Sequence, residues 1–154
     1  MSESHARRLA KVRDEKEAAE EAVDACRKNY GELRHLIRSD PLALESAARN
    51  LEKTYYTRLC ADTEAMLYRH FQDHWPALRV LVNATGAQLI NHARHHLNPS
   101  QNNSLDTAVA DRALQVMDYR NYLAHGEKSR QPEIRFYEAL DSLQEILLKL
   151  PPMK

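Results

Sequence analysis

A chain of 154 residues suits one domain with a sizeable core. Lys and Arg together number 22, as do Asp and Glu, so the formal charge is zero, which argues against a protein held on nucleic acid by bulk positive charge and leaves room only for a local basic surface. Three glycines and a 6% aromatic content favour an all-helical fold over a sheet, and no apolar run is long enough to span a bilayer.

The N-terminal stretch MSESHARRLAKVRDEK lacks the apolar centre of a signal peptide. Cys26 and Cys60 sit inside helical patterns and form no paired framework, which fits a reducing compartment. The expectation is a cytoplasmic protein with no membrane association. Residues 4–38 predict one long helix. Its apolar stripe is narrow and runs through Val12, Ala19, Val23, Cys26, Tyr30, Leu33 and Ile37. The surrounding stretch 11-KVRDEKEAAEEAVDACRK-28 predicts a solvated face laced with intrahelical ion pairs. Gly31 is a weak point in this helix rather than a stop. Ser39-Asp40-Pro41 is a boundary, because Asp40 can cap and Pro41 suits a first helical position.

A second long helix is expected over 41–73, with Leu44, Ala48, Leu51, Tyr55, Leu59, Met66 and Phe71 on its apolar side and Trp75-Pro76 at its end. Tyr55 and Tyr56 are expected at the core and its boundary. Residues 77–97 predict one or two shorter helices. There LRVLVNA has strand propensity but no partner strand, and Thr85 is a candidate cap for TGAQLINHARHHL. The stretch 98-NPSQNNS-104 is the clearest loop. Asp106 or Ser104 opens the next helix, whose stripe is Val109, Ala113, Val116, Arg120 and Leu123, with Gly126 as its C-terminal glycine. EKSRQ predicts a turn and Pro132 the start of a last helix. Its apolar line is Phe136, Leu140, Leu143, Leu147 and Leu150, stopped by Pro151-Pro152. The fold class is therefore all-α: an up-and-down helical bundle over 1–154, a single domain with two long N-terminal helices and shorter C-terminal ones.

The segment 119-YRNYLAHGEKSR-130 breaks the pattern of an ordinary core helix, because Arg120 falls on the apolar stripe and His125 precedes Gly126. His125 lies at the negative end of its helix, which favours imidazolium, and a histidine near neutrality can take or give a proton. Arg120 can grip a phosphate and stabilise charge developing on it, and Asn121 adds a neutral donor and acceptor. Five residues of regular helix turn about 500°, so Arg120 and His125 point about 140° apart. A shared site needs either a helix end that lets His125 swing or a second copy across a symmetric dimer. Arg and His near a helix C-terminus also occur as plain capping chemistry.

The run RNYLAHG resembles the signature of the HEPN superfamily (higher eukaryotes and prokaryotes nucleotide-binding), in which Arg is followed by a polar residue, often Asn, and a few residues later by His. Here these are Arg120, Asn121 and His125. The resemblance implies an all-helical bundle with the motif late in the chain, and a metal-independent endoribonuclease whose active site forms at a homodimer interface. His125 would move a proton at the 2′-hydroxyl or the leaving oxygen. Arg120 would bind the scissile phosphate and Asn121 would orient either partner. Cleavage by the RNA's own 2′-hydroxyl needs no cofactor and leaves 2′,3′-cyclic phosphate ends. The implied setting is toxin–antitoxin or antiviral defence, with RNA, a second copy and an antitoxin or other defence-system protein as partners. Family members often carry an acidic residue on an earlier long helix, for which Glu64 in 61-ADTEAMLYRHF-71 is the candidate. By itself Glu64 would be an exposed residue or a partner for Arg69. A subgroup modified with AMP has Tyr two residues after the His. This sequence departs from that pattern with Glu127.

His70 and His74 lie four apart, as do His92 and His96 with His95 alongside, which is metal-ligand spacing that no Cys or carboxylate cluster completes. Arg94 and His95 could instead contact RNA phosphates and bases, against the plainer reading of a solvated helix end. The alternatives to a ribonuclease are a non-catalytic HEPN-like module binding RNA, nucleotide or a partner protein, and a structural adaptor that uses the stripe of the first helix.

Overall fold

The computed structural model describes residues 5–38, 40–74, 83–96, 105–126 and 133–149. Among these residues there are six helices and no strand: α1 His5–Lys28, α2 Tyr30–Leu33, α3 Pro41–His74, α4 Gly86–His96, α5 Thr107–His125 and α6 Phe136–Lys149. The all-helical bundle expected from composition is present.

The first expected helix is divided. At Asn29 the backbone leaves helical geometry (φ −105°, ψ 17°), and the Asn29 side-chain amide donates to the Ala25 carbonyl at 2.9 Å. Asparagine competes with the backbone for its own hydrogen bonds, and Gly31 two residues on lowers helix propensity further. The chain therefore makes only the single turn of α2 before the boundary at Asp40. There the expected cap forms, with Asp40 Oδ1 accepting from the Ala43 amide at 2.7 Å, and α3 runs for 34 residues, about 50 Å.

The core lies where α1, α3, α4, α5 and α6 meet. α3 contributes Tyr56, Leu59, Cys60, Met66, Leu67 and Phe71. α6 buries Phe136, Leu140, Leu143 and Leu147, four of the five positions expected on its apolar line; Leu150 lies outside the described residues. α6 starts at Phe136, and Glu52 on α3 accepts from the Phe136 amide at 3.2 Å. α1 buries only Leu9, Val12 and Lys16, and α3 buries nothing before Tyr56. The later part of α1 and the first part of α3 thus form an antiparallel two-helix arm. Its seam, Ala19, Val23 and Cys26 against Leu44, Ala48 and Leu51, is only half-buried because one helix pair cannot enclose a stripe.

Lys16 corrects the solvated-face expectation at one position. It is 3% exposed, its ammonium pairs with Glu20, and it lies 4.9 Å from the Phe136 ring centroid and 5.4 Å from that of Tyr137. The aromatic faces and the carboxylate compensate its desolvation. Trp75-Pro76, the 98–104 loop, the 127–131 turn, Pro132, Pro151-Pro152 and nearly all of LRVLVNA lie outside the described residues.

Candidate functional site

α5 is regular to its end. Asp106 caps it by accepting from the Ala108 amide at 3.1 Å, and Gly126 takes the left-handed conformation (φ 66°) with its N–H donating to the Tyr122 carbonyl at 2.9 Å. His125 is its last helical residue, so the helix end does not swing it towards Arg120. Helical phase keeps the two about 140° apart. Both Asn121 and His125 are exposed.

Arg120 turns inward. Its Nη2 donates to Glu64 Oε1 at 2.6 Å, with the two side chains 19% and 24% exposed. Glu64 is therefore the partner of Arg120 rather than of Arg69. The same oxygen accepts the Gly86 amide at 3.1 Å. Gly86 is the first residue of α4, so the Glu64 carboxylate sits between a guanidinium and the positive end of a helix. The start of α4 is fixed by a reciprocal capping box. Gln88 N donates to Thr85 Oγ1 at 3.3 Å, and Thr85 N donates to Gln88 Oε1 at 2.9 Å. Breaking a partly buried pair of this kind leaves a charge without compensation, which costs more than a surface salt bridge is worth.

At Gly86 other side chains approach closely, and any Cβ would force them to shift. A Cβ there would lie 2.4 Å from Glu64 Oε1 and 2.8 Å from Met117 Sδ. Its position just after the Thr85 cap is the only sign of this in the chain; the contact itself joins residues 22 apart. Behind the ion pair lies Cys60, fully buried, whose thiol is pushed up to about 12 by burial, while Arg120 pulls it down and Glu64 raises it. Arg120 Nε is itself buried and makes no hydrogen bond. The neighbouring turn of α5 rests on aromatics. Tyr119 meets Tyr56 edge-on at 5.3 Å and Tyr122 at 5.7 Å, and burial raises the Tyr119 hydroxyl. One chain thus holds the Arg120 guanidinium from behind by a carboxylate and leaves the His125 imidazole exposed on another side of the same helix end.

Arg94 points at the neighbouring helix instead, pairing with Asp111 and so joining α4 to α5. The side chains of His74, His95 and His96 lie outside the described residues. His70 and His92 flank Phe71 edge-on, at 5.7 and 4.7 Å between ring centroids. Among the described residues no three of His, Cys, Asp and Glu gather as a metal-holding group, and no helix is long and apolar enough to cross a membrane.

Compared with protein-family models, with curated proteins and with solved structures, the chain matches none.

Proposed function

We propose that the protein is a metal-independent RNA endonuclease of the HEPN type, acting as a homodimer in a toxin–antitoxin or antiviral defence system. The observation that supports this best is the division of labour at the end of α5: Arg120 is held by Glu64, while Asn121 and His125 stand exposed. A guanidinium braced by a carboxylate is pre-oriented for a phosphate oxygen, which lowers the cost of ordering it at the moment of reaction. The phase difference between Arg120 and His125 is bridged by a second copy, whose motif faces the first across a two-fold axis.

In the proposed reaction the 2′-hydroxyl oxygen attacks phosphorus and gives up its proton. The bond from phosphorus to the 5′-oxygen breaks, and that oxygen takes a proton. The products are a 2′,3′-cyclic phosphate and a 5′-hydroxyl, with no water consumed. His125 moves one of these protons, Arg120 binds the phosphate and Asn121 orients either partner. The second reading, a non-catalytic module that binds RNA, nucleotide or a partner protein, is favoured by one observation: Arg120 already has a carboxylate partner, as it would in a purely structural ion pair.

The test is cleavage of a mixed RNA substrate in EDTA by the native chain, Arg120→Ala and His125→Ala. Loss of proton transfer is worth about a hundredfold or more in rate. Native cleavage with cyclic-phosphate ends, reduced by that factor in both variants, is the expected result. Equal background in all three, with a dimer whose motifs face apart, sinks the ribonuclease reading.

A further inference from the structure

The arm formed by the later part of α1 and the first part of α3 has one side that α6 covers only at the base. There Phe136 and Tyr137 lie over Lys16, the Tyr137 hydroxyl donates to Glu17 at 3.0 Å, and Glu52 of α3 accepts from the Phe136 amide. Lys16, Glu20, Asp24 and Arg27 follow at helical spacing, so the face of α1 that α6 covers at Lys16 continues for about 16 Å beyond it. Two adjoining hollows of about 350 and 320 Å³ mark this side, and Asp24 and Arg27 line both. Their apolar floor is Val23, Ala48 and Leu51 towards the base, and Tyr30, Pro41 and Leu44 towards the tip. Among the described residues no third helix lies over them.

Charge is divided along the arm. Over residues 17–24 the chain carries Glu17, Glu20, Glu21 and Asp24 and no cation; over 27–38 it carries Arg27, Lys28, Arg34 and Arg38 against the single carboxylate Glu32. Lys16 answers Glu20 and Lys28 answers Asp24 within the chain, and α3 adds Glu45 near the tip. Glu21 and Arg27 are both exposed and belong to no ion pair among the described residues. Large apolar side chains are also left in water at the two ends of the arm. Leu36 and Leu42 at the tip are 70% and 75% exposed, and Tyr137 at the base is 46% exposed.

We propose that a second copy of this chain covers this side, its arm laid antiparallel across a two-fold axis between Asp24 and Arg27. The acidic stretch of one α1 then faces the basic stretch of the other, twice by symmetry, whereas parallel arms would set like charges together. The two apolar floors close on each other as a four-helix unit, which encloses the seam that one helix pair leaves half-open. Each tip, with Leu36 and Leu42, reaches the partner's Tyr137 and takes apolar surface out of water at both ends. The inference does not rest on the RNA reading. Glu64 lies about 30 Å along α3 from Glu45, so this axis is not the one that would bring two Arg120 motifs together. The arm is a separate association surface, and a chain that uses both assembles beyond a dimer.

The experiment is sedimentation velocity over a series of protein concentrations. It compares the native chain with Glu21→Arg, Arg27→Glu, the double swap Glu21→Arg/Arg27→Glu, and Leu36→Ser/Leu42→Ser. All four positions are exposed, so the core is untouched, and circular dichroism checks folding. The native chain is expected to associate. Each single charge reversal and the leucine variant should weaken that association about tenfold or more, and the double swap should restore it, because it exchanges the two signs across the axis. Glu21 and Arg27 lie about 120° apart on α1, so the restoration is not an intrahelical pair. A native chain that stays monomeric throughout, or association that none of the variants weakens, overturns the arm pairing. Loss in both single reversals that the swap does not restore overturns its antiparallel form. Arm-dependent association without RNA cleavage keeps the pairing and removes the ribonuclease reading alone.

Discussion

At Gly86 a hydrogen atom in place of a methyl group lets the Glu64 and Met117 side chains lie where they do. The Glu64 carboxylate approaches the start of α4 so closely that any Cβ collides with it and with Met117. Gly86→Ala should therefore destabilise the protein by about 1–3 kcal/mol, the usual range for overpacking, although Ala is the better helix former. Gly31 is the control, since a Cβ there meets nothing within 4 Å. Gly31→Ala should be neutral or stabilising by up to about 1 kcal/mol. Thermal melting of the two variants checks this, and equal shifts would show that the Glu64–Gly86 approach is not close in solution. Since Gly86 holds Glu64 and Glu64 holds Arg120, its substitution also disturbs the motif from a distance of 34 residues in sequence. Arg120 itself was visible in the chain as a charge on an apolar stripe. Its partner Glu64 stood out only through the family resemblance, because a side-chain pair between distant helices leaves no local periodicity.

The helices start and stop where side chains satisfy their free backbone groups. Asp40 caps α3, Thr85 and Gln88 cap α4, and Asp106 caps α5, all positions at which the chain carries a cap-forming residue. Asp106→Ala should cost about 0.5–2 kcal/mol, measured as a lower urea midpoint with an unchanged slope. A variant as stable as the native chain would show that the Ala108 amide finds another partner. α6 follows a different rule. Its first amide donates to Glu52 of α3, so its start at Phe136 depends on a carboxylate 84 residues away. The division of the first helix at Asn29 is the converse case. An apolar stripe continues across it, but a local side-chain hydrogen bond and a nearby glycine end α1 there.

Across the whole molecule, burial is concentrated at one end. Among the described residues, the later part of α1 and the first part of α3 share a seam that no third helix covers, whereas Leu59, Phe71, Leu89, Ala113 and Leu143 are buried. Local opening free energy follows buried apolar contact, so in a separated protomer backbone amides of residues 19–51 should exchange with solvent markedly faster than those of residues 56–71. Hydrogen exchange of diluted protein, followed by mass spectrometry, reads this directly. Uniform protection along α3 would mean that a second copy or a partner covers the arm in solution. The same uneven packing leaves the Glu20, Asp24 and Arg27 face of α1 bare while Lys16, one turn before Glu20, is enclosed by Phe136 and Tyr137.

Periodicity, glycine scarcity and the Asp40, Thr85, Asp106 and Gly126 boundaries were enough to determine an all-helical chain, its second long helix and the clean apolar line of α6. Each of these depends on residues within a few positions of one another. The same locality made Arg120, Asn121 and His125 conspicuous. Tertiary structure alone decided that Glu64 meets Arg120 and Gly86, that Lys16 is buried against aromatic rings, and that Arg94 pairs with Asp111. Those outcomes depend on which helix faces lie against each other. That arrangement is set by the summed burial of the core, and no short stretch of sequence encodes it.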